Sequence, residues 1–149
     1  MMPIGAAPKI MVCVTAQPSC ARLIRAARQM LTGDGEIQVL SVQRVQCRPE
    51  QRAKDLATLY ELTRGLDSSV CIYYNDNPAL VAAAVAAKER VDRVVTGAPR
   101  SPGDTFVETI RALVPQIPLT MIDDDATAYT VLPAQDVPVP LNPAWLARS

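Results

Sequence analysis

VDRVVTGAPRSPGDTFVETIRALVPQIPLTMI, residues 91–122, is the stretch that decides the fold. Its first part, residues 92–97, is a short apolar run rich in valine, which is how a strand buried on both faces reads. The loop after it carries Pro99, Arg100, Ser101, Pro102 and Gly103. Thr105 and Glu108 then form a T-x-x-E capping box that predicts a helix, and Pro118 precedes a further strand over residues 119–122. Strand, loop, helix and strand make one crossover unit of a parallel sheet, and in such sheets ligands sit beyond the carboxyl ends of the strands.

The same alternation runs back to the start of the chain. Residues 9–15 (KIMVCVT) predict strand one, and Pro18 suits the first turn of a helix. Leu23, Ala27, Met30 and Leu31 continue that helix at helical spacing until the Gly33-Asp34-Gly35 cluster stops it. Residues 36–42 predict strand two, residues 50–64 a second helix, and residues 69–74 strand three. In the second helix Leu56, Leu59 and Tyr60 are expected on one face, with Gly65 at the end. Asn77-Pro78 reads as a cap with proline at the first helical position, leading into an alanine-rich helix over residues 79–90. The expected fold is an open five-stranded parallel α/β sheet, Rossmann-like, with helices on both faces. It occupies residues 1–128. Residues 129–149 hold Pro133, Pro138, Pro140 and Pro143 among Val, Leu and Trp145, and read as an extended Pro-rich tail lying over its own domain or a neighbour.

Composition narrows the function. A chain of 149 residues is one domain with room for a core, and 49% apolar content with only 4% aromatics suits closely approaching helices and strands. Lys plus Arg equals Asp plus Glu at 15 each, so no net field draws the chain to nucleic acid. No window approaches a bilayer span and no leader pattern opens the chain, so a cytoplasmic protein without a membrane partner is expected. There is no histidine, which removes the commonest neutral-pH base and every Ser-His or Cys-His pair. Cys13, Cys20, Cys47 and Cys71 show no metal-ligand spacing, and no metal site is expected. Asp123, Asp124 and Asp125 read as a solvated turn, since neighbouring residues of an extended segment point opposite ways. Arg22, Arg25 and Arg28 recur every third residue and read as a solvated helix face.

Within residues 12–27, the run Pro18-Ser19-x-x-Arg22-Leu23-Ile24-Arg25 resembles the first helix of the universal stress protein superfamily. It is most similar to the version fused into osmosensitive potassium-channel sensor kinases. The order of strands and helices matches that family to about Ile122, and the resemblance implies an adenine nucleotide alpha hydrolase-like fold and a homodimer formed through strand five and the segment after it. ATP-binding members carry an aspartate at the end of strand one and a G-x-x-G-x9-G-[ST] motif after strand four. Here the aspartate position is Thr15, the first glycine is Gly97, the second falls on Arg100, and the closing pair falls near Thr105-Phe106 with the loop about five residues short. Arg100 obstructs the close backbone approach that a glycine allows, and Asp104 and Glu108 put negative charge where a phosphate would meet the helix.

These readings give a non-catalytic regulatory or sensory domain with a degenerate nucleotide site that does not take ATP in the standard mode. No cofactor is assigned beyond a nucleotide or other small anion. Candidate ligand-binding residues are Thr15, Gln17, Val42, Gly97, Arg100, Ser101, Gly103 and Thr105, with Arg100 foremost. One alternative is an enzyme acting on a nucleotide or other phosphorylated substrate through Asp104, Asp123 or Asp124. Another is a module that acts only through protein contacts.

Overall fold

The computed structural model of the protein describes residues 8–31, 33–64, 68–99 and 101–131. Among the described residues four α-helices and six strands follow in the order β1 (Lys9–Cys13), α1 (Ala21–Met30), β2 (Glu36–Gln43), α2 (Pro49–Thr63), β3 (Ser68–Tyr74), α3 (Pro78–Glu89), β4 (Arg93–Gly97), α4 (Phe106–Leu113), β5 (Leu119–Ile122) and β6 (Ala128–Val131), with a 3-10 turn at Pro18–Cys20 before α1. They form one sheet in the order β3-β2-β1-β4-β5-β6. The first five strands are parallel, as expected, with Val12 paired to both Val39 and Val95. The sixth corrects the five-stranded, purely parallel expectation. It runs antiparallel to β5 and pairs Leu119 with Val131 and Ile122 with Ala128.

The Asp123–Asp125 triplet that precedes β6 explains how the chain reverses. Asp123 Oδ1 accepts from Asp125 N and Thr127 N, both at 2.9 Å, and Oδ2 accepts from the Tyr129 hydroxyl at 3.2 Å. Ala126 completes the turn in a left-handed conformation with φ 64°. The turn itself was expected; a strand after it was not, because four exposed or half-buried residues carry little apolar pattern. Residues 129–131 of the expected tail thus belong to β6, and the Pro-rich residues 132–149 lie outside the described residues.

Side chains alternate across the central strands. Ile10 and Val12 face α1 and α2, where they pack with Ile24, Ala27, Ile37, Leu59 and Val95. Met11 and Cys13 face α3 and α4, beside Ala82, Ala86, Val94 and Ile110. The fully buried alanines Ala82 and Ala86 bring α3 close to the sheet. Asn77 caps α3 as expected, with Oδ1 accepting from Leu80 N at 3.3 Å and Pro78 in the first turn.

Two helical details depart from expectation. In α2 only Leu59 of the expected face is buried; Leu56 is 40% and Tyr60 64% exposed. Leu59 shares its face with Leu62 and Arg52, so α2 has apolar side chains on two flanks and the sheet takes one. At α4 the capping box is not made, because Thr105 sits at φ −104° and ψ 12° and its side chain makes no capping bond. Asp104 Oδ1 takes the role from one residue earlier, accepting from Phe106 N at 3.1 Å.

Candidate functional site

Sheet order changes direction between β1 and β4, where one crossover leaves on each face, and the crevice at that point is where open α/β sheets hold ligands. A cleft of about 380 Å³ opens there, at the carboxyl ends of the two strands. Its walls are largely apolar: Leu40 and Val42 from β2, Pro78 and Ala82 from α3, Phe106 and Val107 from α4. The polar rim comes from Thr15, Gln17 and the buried Thr96. Thr15 is itself tied down, its Oγ1 lying 3.4 Å from Cys20 Sγ.

Among the candidate residues, Thr15, Gln17, Val42 and Gly97 line this cleft. Ser101, Gly103 and Thr105 are exposed and do not line it, because the loop carries them outward before α4 returns. Arg100 lies outside the described residues. A Cβ added at Gly97 would meet only Arg22 Nη2, at 3.7 Å, so the chain's own packing does not require glycine here.

Two charged side chains line the cleft among the described residues, Arg22 and Asp104. Arg22 does not belong to the solvated face expected for it; its side chain is only 14% exposed. The guanidinium donates to Ser19 O at 2.7 Å and Asp123 O at 3.0 Å, and pairs with Asp124 Oδ1 at 3.4 Å. It clamps α1 to the β5–β6 turn, so its donors are directed at protein oxygens. Arg25 and Arg28 remain exposed as expected. Asp104 presents a carboxylate at the N-terminus of α4 and accepts the Phe106 N–H that a phosphate would need.

The carboxylates considered for catalysis have structural work. Asp123 uses both oxygens within the hairpin, Asp124 pairs with Arg22, and Asp104 caps α4. Among the described residues no group of three or more Cys, Asp or Glu is placed to hold a metal ion. Cys13, at the cleft floor, is pushed up to about 12 by burial and stays a neutral thiol. No helix among the described residues is long and apolar enough to cross a membrane.

Sequence reading missed Arg22, Phe106 and Ala82 as cleft residues. Phe106 is the only phenylalanine of the chain and stands at the start of the helix after β4, a signal that could have marked it. Ala82 belongs to the alanine run, whose small side chains leave space at the strand ends as well as allowing close packing. Arg22 gave no such signal, since the partners that tie it to the β5–β6 turn, Asp123 and Asp124, lie about a hundred residues away. No model of a known protein family matches this sequence, and no curated protein matches it.

Proposed function

We propose that this chain is a non-catalytic sensory or regulatory domain of the universal stress protein type, acting as a homodimer, whose strand-end cleft takes a small, largely apolar ligand in place of ATP. The observation that carries the reading is the cleft itself: about 380 Å³ at the sheet's switch point, walled by Leu40, Val42, Ala82 and Phe106. Pockets of that size and lining hold small organic molecules, with a few polar groups fixing their orientation. Arg22 is committed to protein oxygens and Asp104 stands at the α4 terminus, so a triphosphate meets a carboxylate where it would need donors. Thr15, Gln17 and Thr96 suit one or two hydrogen bonds to a compact ring system.

Thermal unfolding with nucleosides and other uncharged heterocycles, AMP, ATP with magnesium, cyclic dinucleotides and simple anions tests this. An uncharged ring compound at ~100 times its dissociation constant should stabilise the fold by about 2.7 kcal/mol. The shift should vanish in Thr15→Trp, which fills the cleft from its exposed rim, and survive in Arg100→Ala. ATP stabilising the protein more than its uncharged relatives would overturn the ligand class, and no shift with any compound would overturn the cleft as a binding site. Magnesium-dependent turnover of a nucleotide, lost in Asp104→Asn, would replace the sensory reading with the enzymatic one.

A further inference from the structure

We propose that two copies of this chain associate through the outer flank of α2, antiparallel, with the β3 edge beside it. This rests on the homodimer reading above and is independent of the cleft. Ala53, Leu56, Ala57 and Tyr60 recur at i, i+3, i+4 and i+7, the spacing of one helix face, and all four are exposed. That stripe carries no charge. The buried face of the same helix, around Leu59 and Leu62, is already used against the sheet. A single exposed leucine means little, but an uncharged helical stripe is the pattern of a helix with a second partner.

Several observations identify that partner as a second copy. Read backwards, the stripe complements itself. About a two-fold axis between Leu56 and Ala57, Leu56 meets Ala57 of the other copy and Ala53 meets its Tyr60, so each large side chain faces a small one. Such pairing lets two helices approach closely. The same axis sets Glu50 of one copy opposite Thr63 of the other, one residue from Arg64, at both ends of the contact, so opposite charges lie near each other at its rim. Within its own chain Arg64 pairs with Glu61 at 3.6 Å, an exposed contact that leaves the guanidinium free to meet a second carboxylate. The chain carries 15 basic and 15 acidic side chains, so no net charge opposes self-association.

The neighbouring strand continues the surface. The helix packs against the Pro18–Cys20 turn, and its Arg52, one turn before Leu56, reaches the edge strand β3. Arg52 of α2 stacks on Tyr74 of β3, 4.3 Å from the ring centroid. Seven-residue β3 ends the sheet, and its sequence SSVCIYY has none of the lysine, proline or other charge that commonly guards an edge. Val70 and Tyr74 are 39% and 40% exposed along it. At the opposite side of the sheet, β6 already covers the outer edge of β5. Self-association is therefore assigned to the α2–β3 side and not to strand five.

Analytical ultracentrifugation of the full chain up to about 100 µM decides this, since assembly follows mass action. A reversible dimer is expected. Leu56→Asp, at an exposed position, should leave the far-UV circular dichroism unchanged and raise the dissociation constant at least ~tenfold by placing a charge in the apolar contact. Glu50→Arg and Arg64→Glu should each weaken the dimer by about two- to fivefold and restore it when combined, as expected for rim charges that meet across the axis. A dimer indifferent to Leu56→Asp would overturn this surface while leaving homodimerisation standing; loss of that dimer on deleting residues 132–149 would assign it to the tail. A monomer throughout would overturn both, leaving the stripe to a different protein.

Discussion

Cys13 shows how position alone sets the chemistry of a residue. It closes β1 with its thiol turned into the α3–α4 side of the core, and desolvation raises its pKa from 9.0 to about 12. The folded state therefore holds this proton more tightly than the unfolded chain does. The resulting stabilisation is complete below pH 9 and is lost as the pH rises toward 12. Relative to Cys13→Ala, the unfolding free energy of the wild type should fall above pH 9 by up to about 1.4 kcal/mol per pH unit. Urea melts at about pH 8, 9 and 10 on both proteins read this directly, and a difference that stays flat would mean the thiol meets water. At the same scale Arg22 illustrates the opposite case: a charge that local sequence assigns to solvent is drawn inward by the Asp123 carbonyl and the Asp124 carboxylate, which only the fold brings near.

Among the elements, α3 shows most clearly how the helices are bounded. Asn77 and Pro78 fix its start, and Arg90 ends it in the left-handed region at φ 55°, where its N–H reaches Ala86 and Ala87 carbonyls. A side chain with a Cβ is strained in that conformation, and glycine is the residue helices usually place there. Arg90→Gly should therefore stabilise the protein by about 0.5–1 kcal/mol, measured as a higher urea midpoint at unchanged slope. A lower midpoint would mean the Arg90 side chain contributes more than its backbone costs. In α2 the sequence offers two apolar flanks, and nothing local ranks Leu56 with Tyr60 above Leu59 with Leu62. In α4, likewise, the capping box was a sound pattern that failed because Thr105 sits outside the extended N-cap conformation, and Asp104, one residue earlier, accepts from Phe106 N instead.

For the whole molecule, the six-stranded sheet leaves two unlike edges among the described residues, β3 unpaired on its outer side and uncharged, β6 short and folded back on β5. If α2 and β3 join two copies, folding and association are linked, and the unfolding midpoint should rise with protein concentration in the wild type but not in Leu56→Asp. A concentration-independent midpoint in both would count against the dimer. Sequence by itself determined the order of strands and helices from β1 to β5 with the turn at Asp123, the burial of the valine-rich strands, and the placing of Thr15, Gln17, Val42 and Gly97 at the strand ends, where they line the cleft. These come from periodicity, proline and capping signals, all of which act over a few residues. Only the tertiary structure decided that Arg22 and Phe106 enter the cleft, that Ser101, Gly103 and Thr105 stay outside it, that β6 joins the sheet, and which flank of α2 is buried. Each of those depends on groups far apart in the chain meeting in space, and burial against the sheet, not local pattern, chooses among the arrangements that the sequence leaves open.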